Sequence, residues 1–457
     1  MKHTLTLFTA LLLAPSAAVH AAETPSEREA RLAWWHEAKF GMFIHWGLYS
    51  VLGGEYDGKK SKTPGEGIMM EFKIPKAEYA KYAKAFACSK FDADECVKLA
   101  QAAGMKYIVF TAKHAEGFAM FRTATSPFNI CDATPFQRDP LKELADACRR
   151  QKMPLGFYYT QSKDTLNDGF GNIWDKRERT TDQYFNQVSI PQIKELLSNY
   201  GEYPAIFWWD APDGMNSERA KEIAGLVKKL KPECIMDDRL GGGCPGDFKV
   251  QWWAPQQVQR GDWERHGSMN FASWGFIKNN SNCSTDARSF LGFLIDAASK
   301  GGNYILNITP DAEGQIPQAQ IKCLTQMGQW LRVNGEAIYG ATATPFGAEF
   351  GTFDAEKKDQ NGKPAFRTTR DWRCTAKPGK LYIHIFTWPA SRKLELPGLQ
   401  GAVSKATLLA AAGEHVGVEQ SPTVTTLALP EKAPDPIASV VRLELADKVA
   451  VVRSVNP

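Results

Sequence analysis

The chain has 457 residues, 43% of them hydrophobic, enough to bury a large core and to divide into two or three domains. Its 55 lysines and arginines against 51 acids leave a formal charge of +4, scattered along the chain, which excludes a dedicated nucleic-acid or anionic-membrane surface. Beyond the N-terminus no stretch approaches the roughly 18 apolar residues of a membrane-spanning helix.

At the N-terminus, Lys2 and His3 precede an apolar run from Leu5 to Leu13, and small residues surround Val19-His20-Ala21. This is the pattern of a secretory signal over residues 1–22, so an exported protein, periplasmic or secreted, is expected. The nine cysteines stand at irregular spacing without a Cys-x-x-Cys pair, which specifies neither a zinc site nor a disulfide framework.

In chain order, 26–38 reads as a helix leading into the short strand Phe40–Ile44, which ends at His45. A Gly- and Lys-rich polar loop covers 53–66, and helical periodicity follows over 77–87 and 93–103. Residues 106–111 form a continuous apolar run of the kind that buried parallel strands show, ending near His114. Helices over 141–151, 184–200, 217–230 and 289–300 then alternate with strands over 154–160, 205–209, 234–237 and 303–308. Such alternation predicts a parallel sheet, and this many units an α/β fold of the (β/α)8 TIM-like barrel type. A last amphipathic helix spans 318–333; beyond it, short alternating segments separated by Gly, Pro and Asp predict an antiparallel β-sandwich. The expected division is a barrel over 23–342 and a sandwich over 343–457.

Polar and aromatic residues recur just past the strand ends: His45, His114, Tyr159, Asp210 and Arg239. In a barrel this predicts one site built from several loops at the C-terminal face. Asp210 ends the run Phe207-Trp208-Trp209, whose indoles can stack on a sugar face, and Glu264 follows Trp263. Cleaving an acetal between sugars takes one ionised and one protonated carboxyl group, so the expected pair is Asp210 and Glu264. An Asp after a strand also serves as a helix N-cap, and Glu264, beside Arg265 and His266, equally as a surface residue. His45 and His114 read as hydrogen-bonding walls rather than metal ligands, so no metal is expected.

Eight motifs carry a resemblance: 39–51 (KFGMFIHWGLYSV), 112–118, Gly156–Tyr159, Phe207–Asp210, Trp263-Glu264, Ser273–Phe276, Gly302–Ile308 and Val333–Gly340. As an ordered set they resemble glycoside hydrolase family 29, the α-L-fucosidases. The resemblance implies a retaining enzyme without a cofactor that acts on fucosylated oligosaccharides or glycoconjugates. It implies Asp210 as nucleophile, Glu264 as acid/base, and His45, Glu55, His114, Tyr159, Trp208 and Trp274 as sugar contacts. The chain departs from the family pattern at Ala115, where a second His is usual, and at Ala211 and Leu240. Room at Ala115 motivates one alternative, an α-L-galactosidase on the same scaffold; a second, of a different class, is a non-catalytic carbohydrate-binding barrel.

Overall fold

The computed structural model describes residues 23–452 apart from 172–173, 254, 256, 272, 279–285, 347–350, 359–363, 369–371, 412–413 and 447–450. The leader expected over 1–22 lies outside the described residues, as does Cys283.

Helix α1 (Pro25–Ala38) opens on a capping box, in which Thr24 Oγ1 accepts from the Glu27 amide and the Glu27 carboxylate accepts from the Thr24 amide. Eight parallel strands follow: β1 Phe40–Ile44, β2 Ile108–Lys113, β3 Leu155–Thr160, β4 Ile206–Asp210, β5 Ile235–Met236, β6 Lys249–Gln251, β7 Trp263–Ser268 and β8 Asn303–Ile308. They lie in the order β5-β4-β3-β2-β1-β8-β7-β6. A parallel bridge between Asp237 and Phe248 joins the two outer strands and closes the ring. Helices over 93–102, 140–151, 190–198, 217–230, 287–299 and 318–334 pack outside. Among the described residues, the connections from β5 through β6 to β7 carry no α-helix.

Two of the eight strands, β6 and β7, were not expected. β6 has three residues, and β7 (Trp-Glu-Arg-His-Gly-Ser) has one apolar side chain, so neither shows the apolar run by which buried parallel strands are read. The helix expected over 184–200 is broken into an α-turn, a π-turn over Phe185–Ser189 and α-helix from Ile190, where Pro191 removes a backbone donor.

Strand side chains alternate between two cores. Phe40, Met42, Phe157, Tyr159, Phe207 and Trp209 face the helices. Phe43, Tyr107, Val109, Tyr158, Ile206, Trp208 and Ile305 fill the barrel interior, together with Leu32 and Trp35 of α1, which plugs its N-terminal end. Gly41 belongs to the inward set on β1; a Cβ there would lie 2.3 Å from the Tyr107 ring, so glycine admits that ring beneath the site.

Beyond Gly340 the described residues form antiparallel sheets: a four-stranded one in the order 372–377, 380–385, 439–445, 403–408, and a three-stranded one in the order 393–397, 424–428, 417–420. Their facing residues, among them Ile383, Leu396, Leu427 and Val441, form a separate core. The indole of Trp330, on the 318–334 helix, donates to the Ala438 carbonyl at 2.8 Å and ties this part to the barrel. Cys88, Cys96, Cys131, Cys148, Cys234, Cys244 and Cys374 carry free thiols.

Candidate active site

A cavity of about 230 Å³ opens among the C-terminal strand ends. That is below the roughly 300 Å³ at which sites for drug-sized ligands begin, and it fits one sugar ring. Asp210 closes β4 and lines this cavity. Its Oδ2 accepts from the Tyr158 hydroxyl at 2.7 Å, and its Oδ1 from Arg239 Nε at 3.0 Å and Nη2. Gln161 holds the corner: its amide oxygen accepts from the Asp210 N–H at 3.2 Å while its amide nitrogen donates to the Arg239 and Leu240 carbonyls. Burial pushes the Asp210 pKa up, but the Arg239 charge and the Tyr158 hydroxyl outweigh it and hold the carboxyl below its ordinary range. The group is therefore an ionised carboxylate at neutral pH.

Aromatic rings form the walls. His114 stacks on Tyr158 at 5.3 Å, and Tyr158 on Trp208 at 5.6 Å. His45 Nδ1 lies 2.8 Å from Asn307 Oδ1, while Asn307 Nδ2 donates to the Trp274 carbonyl, also at 2.8 Å. The amide oxygen only accepts, so Nδ1 of His45 carries the proton. Burial drives the pKa of His45 well below its usual value, that of His114 to about 4 and that of His266, on β7, to about 3. Three neutral imidazoles and the indoles of Trp208 and Trp274 thus face the cavity, a lining that can hydrogen-bond hydroxyls and stack on a ring face.

The fold does not bring Glu264 to this cavity. Glu264 pairs with Asn303, the first residue of β8, whereas Asp210 pairs with Thr160, the last of β3, so the two stand at opposite ends of the barrel. Glu264 lies under the floor: it accepts from the Trp208 indole at 3.1 Å and from the Tyr107 hydroxyl, and it does not line the cavity. Burial raises its pKa to about 7, a value that would suit a proton donor, but the location does not. Glu264 is an inward residue near the start of β7, a strand that the sequence did not predict.

Two further expected contacts shift. Tyr159 points outward, its hydroxyl donating to Gln192 at 2.8 Å with Lys113 over its ring, and its neighbour Tyr158 takes the inward place. Strand alternation decides between such neighbours, and two adjacent tyrosines carry no signal of which one faces in. Glu55 sits half-buried in a two-residue hairpin strand away from the cavity. Ala115 is buried but does not line the cavity either, so the extra room that motivated a larger sugar is not found on its wall.

The second carboxylate of the lining is Glu66. Its Oε2 accepts from the amides of Gly275 at 2.8 Å and Trp274 at 3.0 Å and from Ser273 Oγ at 3.1 Å. Burial raises its pKa more than these hydrogen bonds lower it. Glu66 lies between two glycines in a polar loop, where nothing in the sequence signals burial; its partners come from 207–209 residues away. Among the described residues no group of three or more His, Cys, Asp or Glu side chains is placed to hold a metal ion, and no helix is long and apolar enough to cross a membrane.

The chain matches the Alpha-L-fucosidase family model over residues 10–336. It is 30% identical over 438 residues to the tissue alpha-L-fucosidase of Rattus norvegicus, covering 90% of this chain and 89% of that protein. The solved alpha-L-fucosidase of Vibrio sp. strain EJY3 superposes with a TM-score of 0.82 at 31% identity, over 93% of this chain and 74% of that one. A Bacteroides thetaiotaomicron alpha-L-fucosidase of glycoside hydrolase family 29, solved as a trapped covalent intermediate with 2-fluoro-fucosyl fluoride, superposes with a TM-score of 0.76 at 25% identity, over 91% of this chain and 96% of that one.

Proposed function

Because the chain belongs to the α-L-fucosidase family of glycoside hydrolases, we propose that it is an exo-acting, retaining α-L-fucosidase in which Asp210 is the nucleophile and Glu66 the acid/base. The carrying observation is that two carboxyl groups line one small cavity and their surroundings push them apart, Asp210 below its ordinary pKa and Glu66 above it. Such a split is how one site holds an anion and a proton donor at the same pH. Asp210 attacks the anomeric carbon as Glu66 gives its proton to the departing glycosidic oxygen, leaving a fucosyl ester on Asp210. Glu66 then takes a proton from water, which attacks the same carbon and regenerates Asp210. The covalent intermediate trapped in the Bacteroides relative supports this two-step course. The signal-like run over 1–22 supports export.

Asp210→Asn should lower kcat/KM on aryl α-L-fucoside by roughly 10³-fold or more, since removing a covalent nucleophile abolishes its pathway. Nuclear magnetic resonance of the first-formed sugar should show the α-anomer; a β-anomer would overturn retention. Glu66→Gln separates the proton donor from a sugar-holding residue. It should cost about 10²–10⁴-fold on glycosides with poor leaving groups while sparing fucosyl fluoride, whose leaving group needs no proton. An equal loss on both would move Glu66 to holding sugar hydroxyls. No hydrolysis of any fucoside by the native chain would return weight to a binding barrel.

A further inference from the structure

A second cavity, of about 270 Å³, adjoins the first and shares four of its lining residues: Pro64, Trp252, His266 and Trp274. It lies against the outer face of β7 and β8, where the described residues of the connections from β5 to β7 supply no covering α-helix. The three most exposed large apolar side chains of the described residues, Trp253 at 64%, Phe271 at 59% and Trp252 at 55%, all line it. Wet aromatic surface gathered around one cleft beside a sugar pocket marks a binding face rather than scattered exposure.

The cavity also holds a cation without an anion. Arg265 lines it and is 7% exposed, yet none of its side-chain N–H groups bonds to a described residue, and its Nε is fully buried without a partner. Its guanidinium stands 4.0 Å from the Phe293 ring, with Trp253 and Tyr304 further off at 6.0 and 5.8 Å. The acid whose charge it feels, Asp296, is already bound by Lys300 and Arg373, each at 2.9 Å. Buried charges are ordinarily paired. Ring faces compensate a guanidinium in part, but they leave its planar N–H donors without acceptors, and those donors match a carboxylate or sulfate edge.

We propose that this cavity is the aglycone subsite, that it takes a sugar bearing an anionic group, a carboxylate or a sulfate, and that Arg265 is the residue that selects the charge while Trp252 and Trp253 stack on the ring. The word aglycone rests on the assignment of the first cavity to the fucosyl unit; the anion site itself does not.

The test pairs fucosyl disaccharides that differ only in the second sugar: neutral hexoside, the corresponding uronate, and the 6-sulfate. The native enzyme should cleave an anionic member with at least tenfold higher kcat/KM than the neutral one, the uronate and sulfate arms showing which anion is preferred. Arg265→Gln should bring that ratio close to one, and Arg265→Lys should restore part of it. A native ratio near one, or a ratio unchanged in Arg265→Gln, overturns the proposal. Trp253→Ala, at an exposed position, serves if the buried substitutions do not fold: it should weaken cleavage of all disaccharides several-fold while fucosyl fluoride, too small to reach the second cavity, is spared. No such difference counts against the subsite. Tryptophan fluorescence titrations with free D-glucuronate, D-glucose 6-sulfate and D-glucose separate the two readings. Saturable quenching by an anion, absent with glucose and in Arg265→Gln, would sustain the anion site even if no fucoside were cleaved. No anion-specific quenching, together with no charge preference in hydrolysis, removes it.

Discussion

Asp210 shows how one side chain is tuned by its neighbours. Burial alone would drive it towards the neutral acid; Arg239 and the Tyr158 hydroxyl keep it ionised. Arg239→Met should therefore raise the Asp210 pKa, and the acid limb of the kcat/KM profile should move to higher pH, because the proposed nucleophile acts deprotonated. An acid limb that stays in place would show that another group sets it. Asp210 was legible because it ends an aromatic strand, a position that barrels reserve for chemistry. Arg239 was legible as a strand-end residue, but its bond to Asp210 was not, and Gln161, which clamps both turns, has no local signal at all. Its partners lie 49 to 79 residues away.

At the scale of elements, β7 shows what period two does to a polar segment. Three successive residues meet three surroundings: Glu264 faces in beneath Trp208, Arg265 faces out into the second cavity, and His266 faces in beside the first. Glu264 is held by Tyr107 and Trp208, and its bond to the Trp208 indole fixes a ring that lines the first cavity. Its folded pKa of about 7 lies above the ordinary 4.5 because the charged form is buried. Its contribution to stability is whole below pH 4.5 and is lost as pH rises through 7, a penalty of about 3 kcal/mol on the alkaline side. Glu264→Gln keeps an acceptor for both donors and cannot ionise. Denaturant unfolding at pH 5 and pH 8 should show the variant gaining on the native protein as pH rises, with kcat within about tenfold of native. A loss of 10²-fold or more confined to substrates with poor leaving groups would instead restore Glu264 as the proton donor.

Across the whole molecule, the barrel closes through an edge that has hardly any strand, two residues of β5 and three of β6 joined by one bridge. That economy leaves the outer face of β7 open, and the second cavity lies there. The C-terminal sheets are attached through groups that are otherwise buried: Trp330 bonds Ala438, Thr375 bonds the Ala337 carbonyl, and Tyr382 and Val440 belong to the barrel's outer core. Removing 343–457 would strip apolar cover from Trp330, Ala337 and Ile338. The truncated chain should unfold several degrees lower, or fail to remain soluble, in thermal scans of both chains at equal concentration. Equal midpoints would show that the barrel stands alone.

Periodicity and residue type are properties of neighbouring residues, and they alone determined the alternation of helices and strands, the barrel, the all-β end and the strand that Asp210 closes. What only the tertiary structure decided is where the polar residues of weakly patterned segments go. Glu66, in a glycine-rich loop, becomes a buried wall because the Ser273–Gly275 turn folds over it; Glu264, beside a tryptophan, becomes a floor support because its strand begins one residue earlier; Tyr158 and Tyr159 exchange roles on the phase of a single strand. In each case the chemistry depends on burial and on partners far away in sequence, and a linear pattern carries neither.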